Sequence, residues 1–139
     1  MKKYSLIDHT ADIGIKLKAG TLKSLFVHAA EAMFDVIAER LKASKPCSKK
    51  EMKIDIKAAD QKELFIRWLS ELLSLADCEG VFFTDFKISQ LSDTNLVGTV
   101  YGLPCKEFIG KREIKAATYH HLKLEKKDGG YYAEVIFDV

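Results

Sequence analysis

Two stretches of this chain carry apolar residues at three- and four-residue steps, and most of the remainder alternates. That combination restricts the fold more than any other feature. In the first stretch Leu22, Leu25, Phe26, Ala29, Ala30, Met33, Phe34 and Ile37 line one side of a helix running to about Leu41. Gly20-Thr21 breaks the preceding pattern, and Thr21 is suited to cap the helix. In the second stretch Leu64, Phe65, Trp68, Leu69, Leu72, Leu73 and Ala76 form the stripe. Asp60 with Glu63 gives it a capping-box start, with Asp in place of the usual Ser or Thr, and Gly80 ends it. Phe65 and Trp68 sit on the stripe, so they read as core and not as a base-stacking surface.

The alternating segments read as strands. Ile13, Ile15 and Leu17 point one way, and Asp12, Gly14, Lys16 and Lys18 the other. MKIDIKA at 52–58 alternates again. VFFTDFKISQL and NLVGTVYGL, joined by SDT, form one hairpin, and TYHHLKLEK and YYAEVIFDV flank DGG in a second. Residues 42–50 are a lysine-rich loop, and 105–116 are mixed and charged, with no assignment from pattern. About six strands, mostly joined by hairpins and without regular βαβ alternation, predict an α+β fold. The expected form is a single-domain two-layer sandwich over 1–139: one largely antiparallel sheet with the two long helices on one face. No repeat, low-complexity segment or linker divides it.

A length of 139 residues suits one core. The net charge of +2, from 22 Lys and Arg against 20 Asp and Glu, is too weak to argue for direct nucleic-acid binding. The lysines at 42, 45, 49, 50 and 53 read as a solvated run. No apolar run reaches the roughly 20 residues a membrane helix needs, and the apolar stretch after the N-terminal lysines is too short for a signal peptide. Cys47, Cys78 and Cys105 are odd in number, widely spaced and outside any CxxC pattern. They predict neither a disulfide framework nor a zinc site, and they point to a reducing cytoplasm.

Polar residues gather at two places. DHTAD at 8–12 puts two acids and a histidine at a strand edge, and VIFDV ends on Asp138 and Val139. On the last strand Tyr131, Ala133, Val135 and Phe137 face one way, and Tyr132, Glu134, Ile136 and Asp138 the other. If the first and last strands are neighbours, Asp12 and Asp138 share the more polar side. Close carboxylates repel unless a cation lies between them. Spacing alone reads Asp12 as a turn cap and Asp138 as a solvated acid. Asp8 and His9 can form an acid–base pair, but a turn at the strand entry is the simpler reading. Alternation puts His120 with Thr118, Leu122 and Leu124, and His121 on the opposite face with Tyr119, Lys123 and Glu125. Two adjacent strand histidines are therefore not expected to share one ion.

DHTADIGI, SLFVHAAEAMFDVI, LFIRWLSELLSLADCEGVFFTDF, IKAATYHHLKLE and VIFDV, in that order over essentially the whole chain, resemble the archease family. The combination of HTAD, KAxTYH and an acid one residue from the end is specific, whereas each motif alone is weak. The resemblance implies a cytoplasmic, non-catalytic partner of the tRNA-splicing RNA ligase that joins a 3′-phosphate or cyclic-phosphate end to a 5′-hydroxyl. It would promote transfer of GMP to the ligase's active-site histidine and restore multiple turnover. CKEFIGKRE at 105–113 departs from the family, whose members commonly carry a His- and Glu-containing loop there, so no site is carried over from it.

The resemblance also implies a divalent cation held by Asp12, Asp138 and Val139, the last through its α-carboxylate. Such oxygen donors suit Ca²⁺, with Mg²⁺ or Mn²⁺ compatible, and argue against zinc. Asp8, His9, Lys115 and His120 are the residues expected to support that site or contact the partner. Two other readings compete. One is a chaperone-like modulator of a tRNA cytosine methyltransferase. The other is a metal-dependent hydrolase using Asp12, Asp138 and His9, against which stands the lack of a nucleophile elbow, P-loop or HExxH motif.

Overall fold

The computed structural model describes residues 4–8, 12–41 and 48–139. The two apolar stripes are helices. Thr21 is extended, and its Oγ1 accepts the Ser24 N–H at 3.1 Å to start α1 (Leu22–Ile37). Asp60 does the same for α2 (Gln61–Glu79): its Oδ1 accepts the Glu63 N–H at 2.8 Å, while Glu63 Oε1 reaches back to the Ala59 N–H at 3.0 Å. Gly80 closes α2 in the left-handed conformation at φ 66°, a region that costs glycine nothing. Neither helix, nor any other among the described residues, is long and apolar enough to cross a membrane.

The strands, in chain order, are β1 (Tyr4–Asp8), β2 (Asp12–Ala19), β3 (Ala38–Arg40), β4 (Lys50–Lys57), β5 (Val81–Leu91), β6 (Asn95–Pro104), β7 (Phe108–Gly110), β8 (Ala116–Lys127) and β9 (Gly130–Asp138). Every pairing is antiparallel. The fold class is thus α+β, but the strands divide among three sheets rather than one. β1-β2-β9-β8 form a four-stranded sheet, β4-β6-β5 a three-stranded sheet, and β3-β7 a short ribbon.

Each helix touches both larger sheets. α1 lies against β2, β9 and β5, and α2 against β8, β4, β5 and β6. The apolar stripes therefore meet side chains from two sheets, and all the buried apolar residues except Leu103 and Ile136 form one continuous cluster. Trp68, Phe26, Phe65, Phe83 and Phe137 are its largest fully buried members. Phe26 and Phe65 meet edge to face at 5.1 Å, and Phe34 packs on Phe83 and Phe86. Trp68 Nε1 donates to the Phe26 carbonyl at 2.9 Å, which satisfies its one polar atom inside the core. Fully burying a side chain of this size stabilises by about 1.5–3 kcal/mol before entropy is counted.

One local expectation changes, and two stretches without an assignment gain one. α1 stops at Ile37, not near Leu41, because Ala38 turns extended and its segment pairs with β7. The unassigned stretch after β6 holds a 3-10 turn (Cys105–Glu107) and β7, and only 111–115 lack regular structure. Tyr4–Asp8, which offers no clear alternation, is an edge strand on β2. The lysine-rich segment 42–47 lies outside the described residues.

Candidate metal site at the end of the four-stranded sheet

β9 is an inner strand, with β2 on one side and β8 on the other. Its Ala133, Val135 and Phe137 are buried, as are Ile15 and Leu17 of β2, so these side chains fix which face of the sheet is core. The opposite face takes the alternate residues. Register then does the rest: Ile13 pairs with Phe137, and Asp12 pairs with Asp138. Directly opposed residues share a face, with Cβ atoms about 4.5–5.5 Å apart. Two acids from distant parts of the sequence are thereby held side by side, with Asp12 half-buried and Asp138 exposed.

The other flank of Asp138 is Ala116 of β8, a small residue that leaves space beside the carboxylate. The Lys115 N–H donates to the Asp138 carbonyl at 2.8 Å, which places the exposed Lys115 at the same sheet end. The Val139 side chain is partly buried against the core. Asp12, Lys115, Asp138 and Val139 are thus brought together. The Asp8 backbone is level with Ile13 on β1, and the Asp8 side chain lies outside the description. His9 falls outside the described residues altogether. His120 is not at this end. It is exposed, four residues along β8 from Ala116 and inside an irregular segment.

Like charges directly opposed on a sheet destabilise it. A hard cation removes the repulsion and takes carboxylate oxygens at roughly 2.3–2.6 Å. The donor set therefore fits an oxygen-seeking divalent ion. Among the described residues no three His, Cys, Asp or Glu side chains converge on a common point. Any further oxygens must come from backbone carbonyls, water, or groups outside the description.

The same face carries a second polar group that contains no sequence motif. The Tyr132 hydroxyl donates to Glu134 Oε2 at 2.5 Å, and Lys123 Nζ lies 3.6 Å from the same oxygen. The Tyr132 hydrogen bond, and after it Lys123 and Lys16, hold the Glu134 carboxyl below its ordinary range. Partial burial, and then Glu134, push the Tyr132 hydroxyl up to about 12. Glu134 thus draws on Lys123 and Lys16 of the same sheet. Counting register outward from the DGG turn puts Lys123 opposite Glu134, so this group was readable from the hairpin signal.

The model of the Archease protein family (MTH1598/TM1083) matches residues 4–139. The chain belongs to the archease family. The archease of Pyrococcus furiosus is 37% identical over the full length of both chains. That of Methanosarcina barkeri is 34% identical over 99% of this chain and 97% of its own. Among solved structures, a Methanobacterium thermoautotrophicum protein superposes with a TM-score of 0.77 at 30% identity, covering all of both chains. A Thermotoga maritima protein described as an archease, possible chaperone, superposes with a TM-score of 0.66 at 21% identity over 96% of this chain and 94% of that one, a likeness of fold.

Proposed function

We propose that this chain is a non-catalytic accessory protein of a GTP-dependent tRNA-splicing RNA ligase, and that a hard divalent cation at Asp12 and Asp138 is part of how it acts. The observation carrying this reading is the direct pairing of Asp12 with Asp138, two carboxylates otherwise in repulsion at an accessible sheet end. The partner class is the one that the archease resemblance implies, and membership of the family is consistent with it. The Val139 α-carboxylate is the third proposed ligand, Ca²⁺ the first ion to try, and Mg²⁺ or Mn²⁺ the alternatives. Lys115, tied by its backbone to Asp138, is suited to neutralise a phosphate brought to the same end. The sheet end would enter the ligase's active-site region and order nucleotide and metal for guanylylation. The rate gain would come from positioning and preset charge, with no covalent step on this chain.

The test is ligation by the purified RNA ligase of the same organism, in excess RNA, with wild type or Asp12→Ala/Asp138→Ala. Conversion of single to multiple turnover by wild type alone supports both the role and the site. Equal activation by the double variant overturns the site, and no activation by wild type overturns the role. A second reading, a chaperone-like modulator of a tRNA cytosine methyltransferase, draws on the words "possible chaperone" given to the Thermotoga structure. Co-purification with a methyltransferase and without ligase would favour it.

A further inference from the structure

β8 and β9 pair regularly from the Lys127–Gly130 turn to Lys123 and Glu134, and again from Thr118 and Ile136 to Ala116 and Asp138. Between these runs Tyr119, His120, His121 and Leu122 all stand against Val135 alone. Three extra residues are accommodated by a bulge in which His121 takes φ 53°, in the left-handed region that non-glycine residues rarely occupy. Simple alternation would send the two histidines to opposite faces. The bulge overturns that expectation. Their ring centres are 4.1 Å apart at 54°, and both residues are exposed.

We propose that His120 and His121 form an imidazole site for a borderline divalent ion such as Ni²⁺, Zn²⁺ or Cu²⁺, separate from the carboxylate end of the sheet. Neutral imidazole suits these ions, whereas carboxylates suit Ca²⁺, Mg²⁺ and Mn²⁺. Two imidazoles on one ion, with metal–nitrogen bonds of about 2.0–2.1 Å and an angle between roughly 90° and 109°, hold their ring centres about 4.5–5.2 Å apart. The observed 4.1 Å therefore needs an opening of about half to one ångström, which exposed side chains reach by small rotations. Among the described residues no hydrogen bond or ion pair holds either ring back. Asn or Gly would take the left-handed position at less cost, so a histidine there spends backbone strain on placing an imidazole beside its neighbour. No third side chain joins them among the described residues, so water or a donor from a bound partner completes the coordination. The site stands whether or not the RNA ligase reading holds.

The experiment is a Ni²⁺ titration of the untagged full chain by calorimetry, with histidine ring signals followed by NMR. Wild type is compared with His120→Ala, His121→Asn and Asp12→Asn/Asp138→Asn. Asn suits the left-handed backbone, so His121→Asn removes the imidazole while keeping the bulge. The expected result is one ion bound, with affinity falling at least about tenfold in each histidine variant and unchanged in the acid variant. The His120 and His121 signals should broaden first. Affinity unchanged in the histidine variants, broadening centred on other histidines, or no measurable binding overturns the proposal. A parallel Ca²⁺ titration, lost only in the acid variant, reports on the carboxylate end independently.

Discussion

The opposition of Asp12 and Asp138 works against the stability of the sheet. In chelator, Asp12→Asn removes one of two opposed charges and should raise stability by about 0.2–1 kcal/mol, the usual scale of a cross-strand charge pair. In Ca²⁺ the same variant should lose the wild type's ion-dependent gain, so the order of the two melting temperatures should invert between buffers. Tyr132 and Glu134 contribute at opposite ends of the pH profile. Glu134 is held low, so its contribution is present above its unfolded value near 4.5 and fades as pH falls through the lowered folded value. Tyr132 is raised from 10.0 to about 12, so its contribution is complete below pH 10 and is lost as pH rises from 10 to 12. Urea midpoints against pH should show both losses, and Tyr132→Phe should flatten the alkaline one. HTAD and the terminal acid were legible as candidates because their side chains are chemically distinct. Their meeting was implied by the family resemblance, but alternation alone left it conditional on which strand lies beside β2.

The two helices were readable because their stripes are long and their caps follow the rules for Thr, Asp and Gly. The end of α1 was not. Leu41 lies four residues beyond Ile37 and prolongs the apparent stripe, while the chain has already turned to pair with Phe108–Gly110. Bulges are invisible to alternation for the same reason, since an extra residue is recognised only against its partner strand. β5 has two, at Thr84 and at Ser89; the second lies between the pairs Ile88–Gly98 and Gln90–Val97, with the Ser89 hydroxyl donating to the Val97 carbonyl at 3.1 Å. A Cβ on Gly98 would lie 2.5 Å from the Lys87 carbonyl oxygen, a backbone atom that cannot step aside cheaply. Gly98→Ala should therefore cost about 1–3 kcal/mol in urea unfolding. Gly20→Ala, where nothing lies within 4 Å, is the matched control and should change little.

At the scale of the molecule, the sheets communicate through the helices and not through shared strands. Trp68, the one tryptophan, bonds the backbone of α1 and packs edge to face on Phe86 of β5. Its fluorescence and the far-UV circular dichroism should follow a single transition with one midpoint. Two midpoints would mean that the four-stranded and three-stranded sheets come apart separately. The division into sheets escaped the sequence because a strand's pattern records that one face is buried, not which strand lies alongside.

The central position of β9 bears on how the protein is made. β1, β2 and β8 all precede it in the chain, yet β2 and β8 are joined only through it. On the ribosome the four-stranded sheet must wait until residue 138 has cleared the exit tunnel. Until then Ile15 and Leu17 have no β9 beside them, and Asp12 has no opposing acid. Nascent fragments ending before Gly130 would need holding in solution, and the acid pair would exist only in chains whose last strand has already docked.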